Sequence, residues 1–224
     1  MALILNIETS TKNCSVSIAS EGNVLVLKEL NEGSYSHAEK LHPFIQEALT
    51  DANVSLKDID AIAVSKGPGS YTGLRIGVSS AKGLCFSLDK PLISVDTLKS
   101  LATSITIEKG LLVPMLDARR MEVYSCVYNS DNEQIRKIEA QIINEKSFAE
   151  YLEDNIVYFL GDGAAKCKDT ITHKNAVFIE DKFPSAKEMA KLSFNKYKIG
   201  NIEDVAYFEP FYLKDFVATV QKKR

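Results

Sequence analysis

No stretch of this 224-residue chain approaches the roughly 20 apolar residues that a membrane-spanning helix needs. The start, Met1-Ala2-Leu3-Ile4-Leu5-Asn6, has no basic flank and meets Glu8 at once, which is not the pattern of a signal peptide. The four cysteines, Cys14, Cys85, Cys126 and Cys167, are scattered without a C-x-x-C pair. That argues against a disulfide framework or a zinc site and fits reduced thiols in a cytosol. Basic residues are not in surplus either, and the formal net charge is −3. A protein that grips nucleic acid alone usually shows a basic face. Here only Lys222-Lys223-Arg224 stands out, and a terminal run of this kind is more often a solvated tail. Histidine is scarcer still, with three in the chain. His37 and His42 lie about 140° apart on a helix and do not easily share one metal, and His173 is distant in sequence. H-E-x-x-H and G-x-S-x-G are both missing, so neither a zinc protease nor a serine hydrolase has its motif.

What is present is an ordinary globular balance, 45% hydrophobic and 25% charged, in a length that suits one large domain or two small lobes. The most distinctive stretch is Lys66-Gly67-Pro68-Gly69-Ser70-Tyr71-Thr72-Gly73-Leu74-Arg75-Ile76-Gly77. A short apolar run, Ala61–Ser65, precedes it as a buried strand, and a helix follows to Leu88. Strand, glycine-rich turn and helix can aim backbone N–H groups at an anion. The same geometry also serves tight packing of a strand on a helix. The spacing G-x-G-x-x-x-G is neither the dinucleotide fingerprint nor a P-loop. Gly73, Gly77 and Ala81 sit four apart and share one helical face, which Ser80 widens. Glycine inside a helix costs about 1 kcal/mol against alanine, so two of them suggest a packing purpose. Spacing alone leaves open whether that face meets the chain's own sheet or a partner's helix. Ser70 is placed as the helix N-cap.

Along the chain, strands are predicted at Leu3–Ile7, Cys14–Ala19 and Val24–Leu30, with a hairpin turn at Glu21-Gly22-Asn23. Ser36-His37-Ala38-Glu39 opens a helix as a capping box, and Pro43 should kink that helix or loosen one turn. Pro91–Ser94 is a short strand and Asp96–Ser104 a helix. Leu111–Asp117 then reprises Leu3–Glu8 about 109 residues later, an apolar strand ending in a carboxylate. Glu122–Tyr128 and Gln134–Gln141 match the second and third strands. Helices are expected at Lys146–Asp154 and from Pro184 to Lys198, with a strand at Ile156–Leu160 and a turn at Gly161-Asp162-Gly163-Ala164. The order β-β-β-α-β-α occurs twice, the second time in reduced form. The boundary falls near 105–110, giving lobes 1–105 and 106–224.

Two such lobes, each opening on a strand that ends in an acid, resemble the α/β fold of the actin/hexokinase/Hsp70 (ASKHA) superfamily. Ile7-Glu8-Thr9-Ser10, the glycine-rich stretch 66–77, Met115–Tyr124 and Pro210-Phe211-Tyr212-Leu213 are similar to motifs of the bacterial TsaB (YeaZ-like) family, over residues 3 to about 215. The resemblance implies a cytoplasmic, non-catalytic partner in making N6-threonylcarbamoyladenosine in tRNA. In that pathway one enzyme makes threonylcarbamoyl-AMP. The paralogous TsaD transferase moves the threonylcarbamoyl group to adenosine, and the ATPase TsaE joins the pair. Family members pair with TsaD, or with a second copy when TsaD is absent, through first-lobe helices that correspond here to 37–52 and 71–88. The interface expected on that basis comprises His37, Leu41, Ile45, Tyr71, Gly73, Leu74, Gly77, Ser80 and Ala81. Gly77→Leu should then leave the fold largely intact and push the two partnered helices apart. Contact with tRNA is expected only through the complex.

An ATPase or kinase reading needs an acid to place a metal and a water, and phosphate loops from both lobes. Glu8 and Asp117 are the acids that could face each other across a cleft. Yet Glu8-Thr9-Ser10-Thr11 has no glycine for close phosphate approach, and Asp117-Ala118-Arg119-Arg120 has none where a glycine pair would be expected. Glu8, Thr9, Ser10, Gly67, Gly69, Ser70, Asp117 and Arg119 are therefore read as candidate remnants of nucleotide contact without turnover. No catalytic residue, metal ligand or cofactor is expected. The competing readings are a small ASKHA-type ATPase or kinase and, behind it, a metal-dependent protease. The cluster Asp117, Arg119, Arg120 and Glu122 is either a solvated hairpin rim or a fixed structural or partner contact.

Overall fold

The computed structural model describes residues 1–31 and 37–214. The expected capping residue Ser36 and the basic tail Lys222-Lys223-Arg224 lie outside the described residues. The chain begins with an antiparallel ribbon, β1 (Leu3–Glu8), β2 (Cys14–Ser20) and β3 (Asn23–Leu30). The β2–β3 turn puts Glu21 and Gly22 at φ 50° and 83°, the left-handed pair that matches strand twist. Then come α1 (His37–Asp51), β4 (Ala61–Gly67), α2 (Tyr71–Leu88), β5 (Leu92–Asp96) and α3 (Thr97–Ala102). The second half repeats the scheme with β6 (Leu111–Asp117), β7 (Glu122–Asn129), β8 (Gln134–Ile142), α4 (Ala149–Leu152), β9 (Val157–Leu160), β10 (Ala176–Ile179) and α5 (Ala186–Lys198).

The two sheets run β3-β2-β1-β4-β5 and β10-β9-β6-β7-β8. Their orders coincide once each strand is replaced by its counterpart, so the repeat seen in the sequence is a repeat in space. Side chains alternate across the first sheet with the period of two that strands impose. Leu5, Ile7, Ile62 and Val64 point to one face, where Leu41, Ile45 and Ala48 of α1 and Val78, Ala81 and Cys85 of α2 cover them. Ile4, Ala61, Ala63, Ile93 and Val95 point to the other face and meet Met189 of α5. Burial of each such Leu, Ile or Val is worth about 1.5–3 kcal/mol, which makes these layers the main source of stability.

Helix α5 comes late in the chain but lies on the first sheet, and polar bonds fix it there. Ser193 Oγ donates to Asn6 Oδ1 at 2.6 Å, Ser17 Oγ donates to the Ala186 carbonyl at 2.8 Å, and the Ala186 N–H donates to Ser15 Oγ at 2.8 Å. Helix α3 fills the layer between the sheets, with Leu98, Leu101 and Ala102 on Leu112, Leu116 and Leu160. Residues 203–214 form a strap across the first lobe. Glu203 bridges to Leu92, Lys82 Nζ donates to the carbonyls of Ala206 and Phe208, and the Phe211 N–H donates to the Lys66 carbonyl. Lys214 of the strap pairs with Glu122 of β7.

Helix α1 runs from His37 to Asp51 with Pro43 inside it. Two local expectations need correction. The predicted helix 146–154 is reduced to α4. Its first residues are held as a turn, with Asn144 N–H on Ser147 Oγ at 2.9 Å and Lys146 N–H on Asn144 Oδ1 at 2.9 Å, and Phe148 is left-handed at φ 63°. Strand β10 is not expected from the sequence. It is a four-residue, half-exposed edge strand, too short for a periodic signal.

Candidate functional site

The glycine-rich stretch is organised around the loop that follows β1. A Cβ at Gly69 would lie 2.5 Å from the Ser10 carbonyl oxygen, at Gly73 2.0 Å from the Thr9 carbonyl oxygen, and at Gly77 2.3 Å from Thr9 Oγ1. No side chain fits there, so the small face of α2 exists to let the Thr9–Ser10 backbone lie against the helix. Hydrogen bonds close the contact. Thr9 Oγ1 donates to the Gly73 carbonyl at 2.8 Å, and the Ser70 N–H donates to the Ser10 carbonyl at 2.6 Å. Ser70 Oγ accepts from the Gly73 N–H at 3.2 Å, the N-cap role expected of it. His37 Nε2 lies 2.6 Å from the Thr11 carbonyl, which sets that nitrogen as the donor.

The Gly73/Gly77/Ala81 face is therefore internal, and the seam expected there is corrected. Gly73, Leu74, Gly77 and Ala81 are buried in the chain's own lobe, as are His37, Leu41 and Ile45 of α1. Of the nine residues named for the interface, Tyr71 and Ser80 reach the surface. Gly77→Leu is a packing lesion, not a neutral probe.

The opposite face of α2 is the open one. Thr72, Ser79, Gly83 and Phe86 recur at i, i+7, i+11 and i+14, and all are exposed. Nothing lies within 4 Å of where a Cβ would be at Gly83, and Phe86 is 85% exposed. Sequence reasoning missed this second small-residue stripe because the stripe 73/77/81 has the same helical spacing. The available signal was Gly83 itself, together with a phenylalanine three residues on. Ser80 Oγ and His42 Nε2, 3.3 Å apart, link α2 to α1 on this side, and Arg75 lies 4.1 Å over the Tyr71 ring, with its Nε donating to Tyr212 Oη.

The acids at the ends of β1 and β6 have different surroundings. Glu8 is fully buried. Its Oε1 accepts from the Ser10 N–H at 2.6 Å and from Ser65 Oγ at 2.8 Å, while burial pushes its pKa above the ordinary carboxylate range. Asp117 is exposed, paired with Lys166, and accepts from the Arg119 N–H at 2.9 Å. Its own N–H donates to Asp162 Oδ1 at 3.1 Å. Burial raises the Asp162 pKa. Thr9 and Ser10 are buried under α2, Gly67 packs on the Phe211 carbonyl, and Gly161 and Gly163 pack on β6. Of the candidate nucleotide residues, the first-lobe set is thus gathered into one packed, hydrogen-bonded knot, and Asp117 and Arg119 stand apart on the other lobe. Among the described residues, no three His, Cys, Asp or Glu side chains come together in a way that could hold a metal ion.

Two lobes with the same five-strand order, each opened by an acid-ended strand, define an ASKHA-type protein. The chain matches the family model for TsaD, the tRNA N6-adenosine threonylcarbamoyltransferase, over residues 31–222. It is 31% identical to the tRNA threonylcarbamoyladenosine biosynthesis protein TsaB of Escherichia coli over 96% of both chains. It is 34% identical to the Bacillus subtilis protein of the same name over 78% of this chain and 74% of that one. Among solved structures, a Pseudomonas aeruginosa protein described as similar to the peptidase YEAZ superposes with a TM-score of 0.84 at 26% identity, covering 96% of this chain and 100% of that one. The chain belongs to the TsaB (YeaZ-like) family.

Proposed function

We propose that this chain acts in tRNA threonylcarbamoyladenosine biosynthesis as a non-catalytic subunit, docking on the TsaD-type transferase through the outer faces of α1 and α2. The observation that carries the docking reading is the open stripe of α2. A glycine mid-helix with nothing against it costs about 1 kcal/mol in the free chain, and a phenylalanine beside it is fully presented to solvent. Both features make sense when a second helix approaches closely over Gly83 and covers Phe86. A second copy of this chain takes the same face when the transferase is absent, and a TsaE-type ATPase joins the assembled pair in the cytoplasm. The non-catalytic reading is supported by Glu8, whose carboxylate is engaged inside its own lobe and is not presented to a cleft.

Light scattering of the chain alone, then mixed with the transferase of the same organism, tests this. A homodimer that exchanges into a heterodimer is the expected result. Phe86→Asp and Gly83→Leu should each abolish both associations while preserving the circular dichroism spectrum. A monomer that ignores the transferase would overturn the reading. The competing ATPase reading predicts steady ATP turnover lost on Asp117→Ala. The peptidase likeness ascribed to the Pseudomonas neighbour finds little support in the geometry. The Ser80–His42 contact is exposed, and among the described residues no carboxylate orients His42.

A further inference from the structure

The β6–β7 turn carries Arg119 and Arg120 side by side, both exposed and both in the left-handed region at φ 71° and 53°. Two consecutive non-glycine residues in that region are strained, and strain retained at an exposed tip points to function. Among the described residues neither guanidinium has an ion pair or a hydrogen bond. The neighbouring acids are already answered. Lys166 pairs with Asp117, Lys214 pairs with Glu122, and Asp162 is buried with its carboxylate on the Asp117 N–H. Lys12, exposed on the loop after β1, adds its field to Asp162 from the other lobe. A chain with net charge −3 thus presents a local basic tip where its lobes meet.

We infer that Arg119 and Arg120 contact the phosphodiester backbone of the tRNA bound by the assembled complex. The inference rests on the subunit role proposed above. The tip is exposed, and two adjacent guanidinia without a partner among the described residues suit successive phosphates of a polynucleotide. An enclosed mononucleotide would need a cradle from the first lobe, and there the Thr9–Ser10 backbone is packed under α2. Two contacts add to a grip that the other subunit dominates, which fits a chain without a broad basic face.

The test is tRNA affinity of the complex with the transferase, measured from about 50 to 200 mM salt. Arg119→Gln/Arg120→Gln should weaken binding by about tenfold at the low end and make the slope of log affinity against log salt shallower by about 1.5. Arg119→Lys/Arg120→Lys should restore most of both. Light scattering should show that each variant still joins the transferase. Unchanged affinity and slope in an intact complex would overturn the contact, as would a loss confined to mononucleotide binding. Failure of the parent chain to join the transferase would instead overturn the subunit role, and this contact with it.

Discussion

Replacing Gly77 by alanine puts a methyl carbon 2.3 Å from Thr9 Oγ1 and 3.5 Å from Val64 Cγ2. Thr9 cannot yield cheaply, because its hydroxyl donates to the Gly73 carbonyl at 2.8 Å in a site closed to water. Overpacking of this kind costs about 1–3 kcal/mol, and loss of the buried hydrogen bond adds about 1 kcal/mol. The better helix propensity of alanine returns about 1 kcal/mol. The net expectation is a loss of about 2 kcal/mol, or roughly 4–8 °C in Tm for a chain of this size. Gly83→Ala is the matched control on the same helix. With nothing of its own chain within 4 Å it should gain about 1 kcal/mol and raise Tm by roughly 2–4 °C at concentrations low enough to keep the chain monomeric. Urea and thermal unfolding followed by circular dichroism measure both. If Gly77→Ala were as stable as the parent, the Thr9 contact would not be the reason for the glycine. If Gly83→Ala were destabilised in the monomer, α2's outer face would be packed against the chain itself.

Glu8→Gln keeps the oxygen that accepts from Ser10 and Ser65 and removes a buried ionisable group. Burial raises the Glu8 pKa from its ordinary value near 4.5. The native state therefore holds a proton that the unfolded chain releases, so this contribution is present below pH 4.5 and is lost as pH rises through the folded value. The variant's stability advantage over the parent should grow with pH from about 4.5 upward in urea titrations. An advantage that does not change with pH would refute the assignment. Lys82→Met removes the two bonds to the strap carbonyls of Ala206 and Phe208. Limited proteolysis should then cut within 203–214 several-fold faster, with little change in Tm, and parent-like resistance would show that Val205 and Phe208 hold the strap unaided.

All the strands but β10 were legible because they read as short apolar runs or alternate in the strand period, and the repeat was legible because Leu111–Asp117 copies Leu3–Glu8 in both apolar content and terminal acid. The site was harder to read for a specific reason. Helix α2 has small residues on two faces, 73/77/81 and 72/79/83, about 140° apart. Which face is covered depends on Thr9, more than 60 residues away, and no local pattern encodes that contact. The strap was invisible for the same reason. Arg75 and Tyr212 are separated by 137 residues, and residues 199–214 have neither helical nor strand periodicity. The α4 region failed differently, because the Asn144–Ser147 turn chemistry outweighed helix propensity in the residues after it.

The placement of α5 sets the order in which the molecule can be finished. Asn6 lies in β1, and its partner Ser193 emerges from the ribosome 187 residues later. Until then one face of the first sheet, with Ile4, Ala63, Ile93 and Val95, has no cover from its own chain. At synthesis rates of about 5–20 residues per second that interval lasts on the order of ten seconds or more. The amino-terminal lobe therefore cannot mature as an independent unit during translation. It is closed only once α5 has been made, so a chain cut short before α5 cannot complete the lobe that carries α1 and α2.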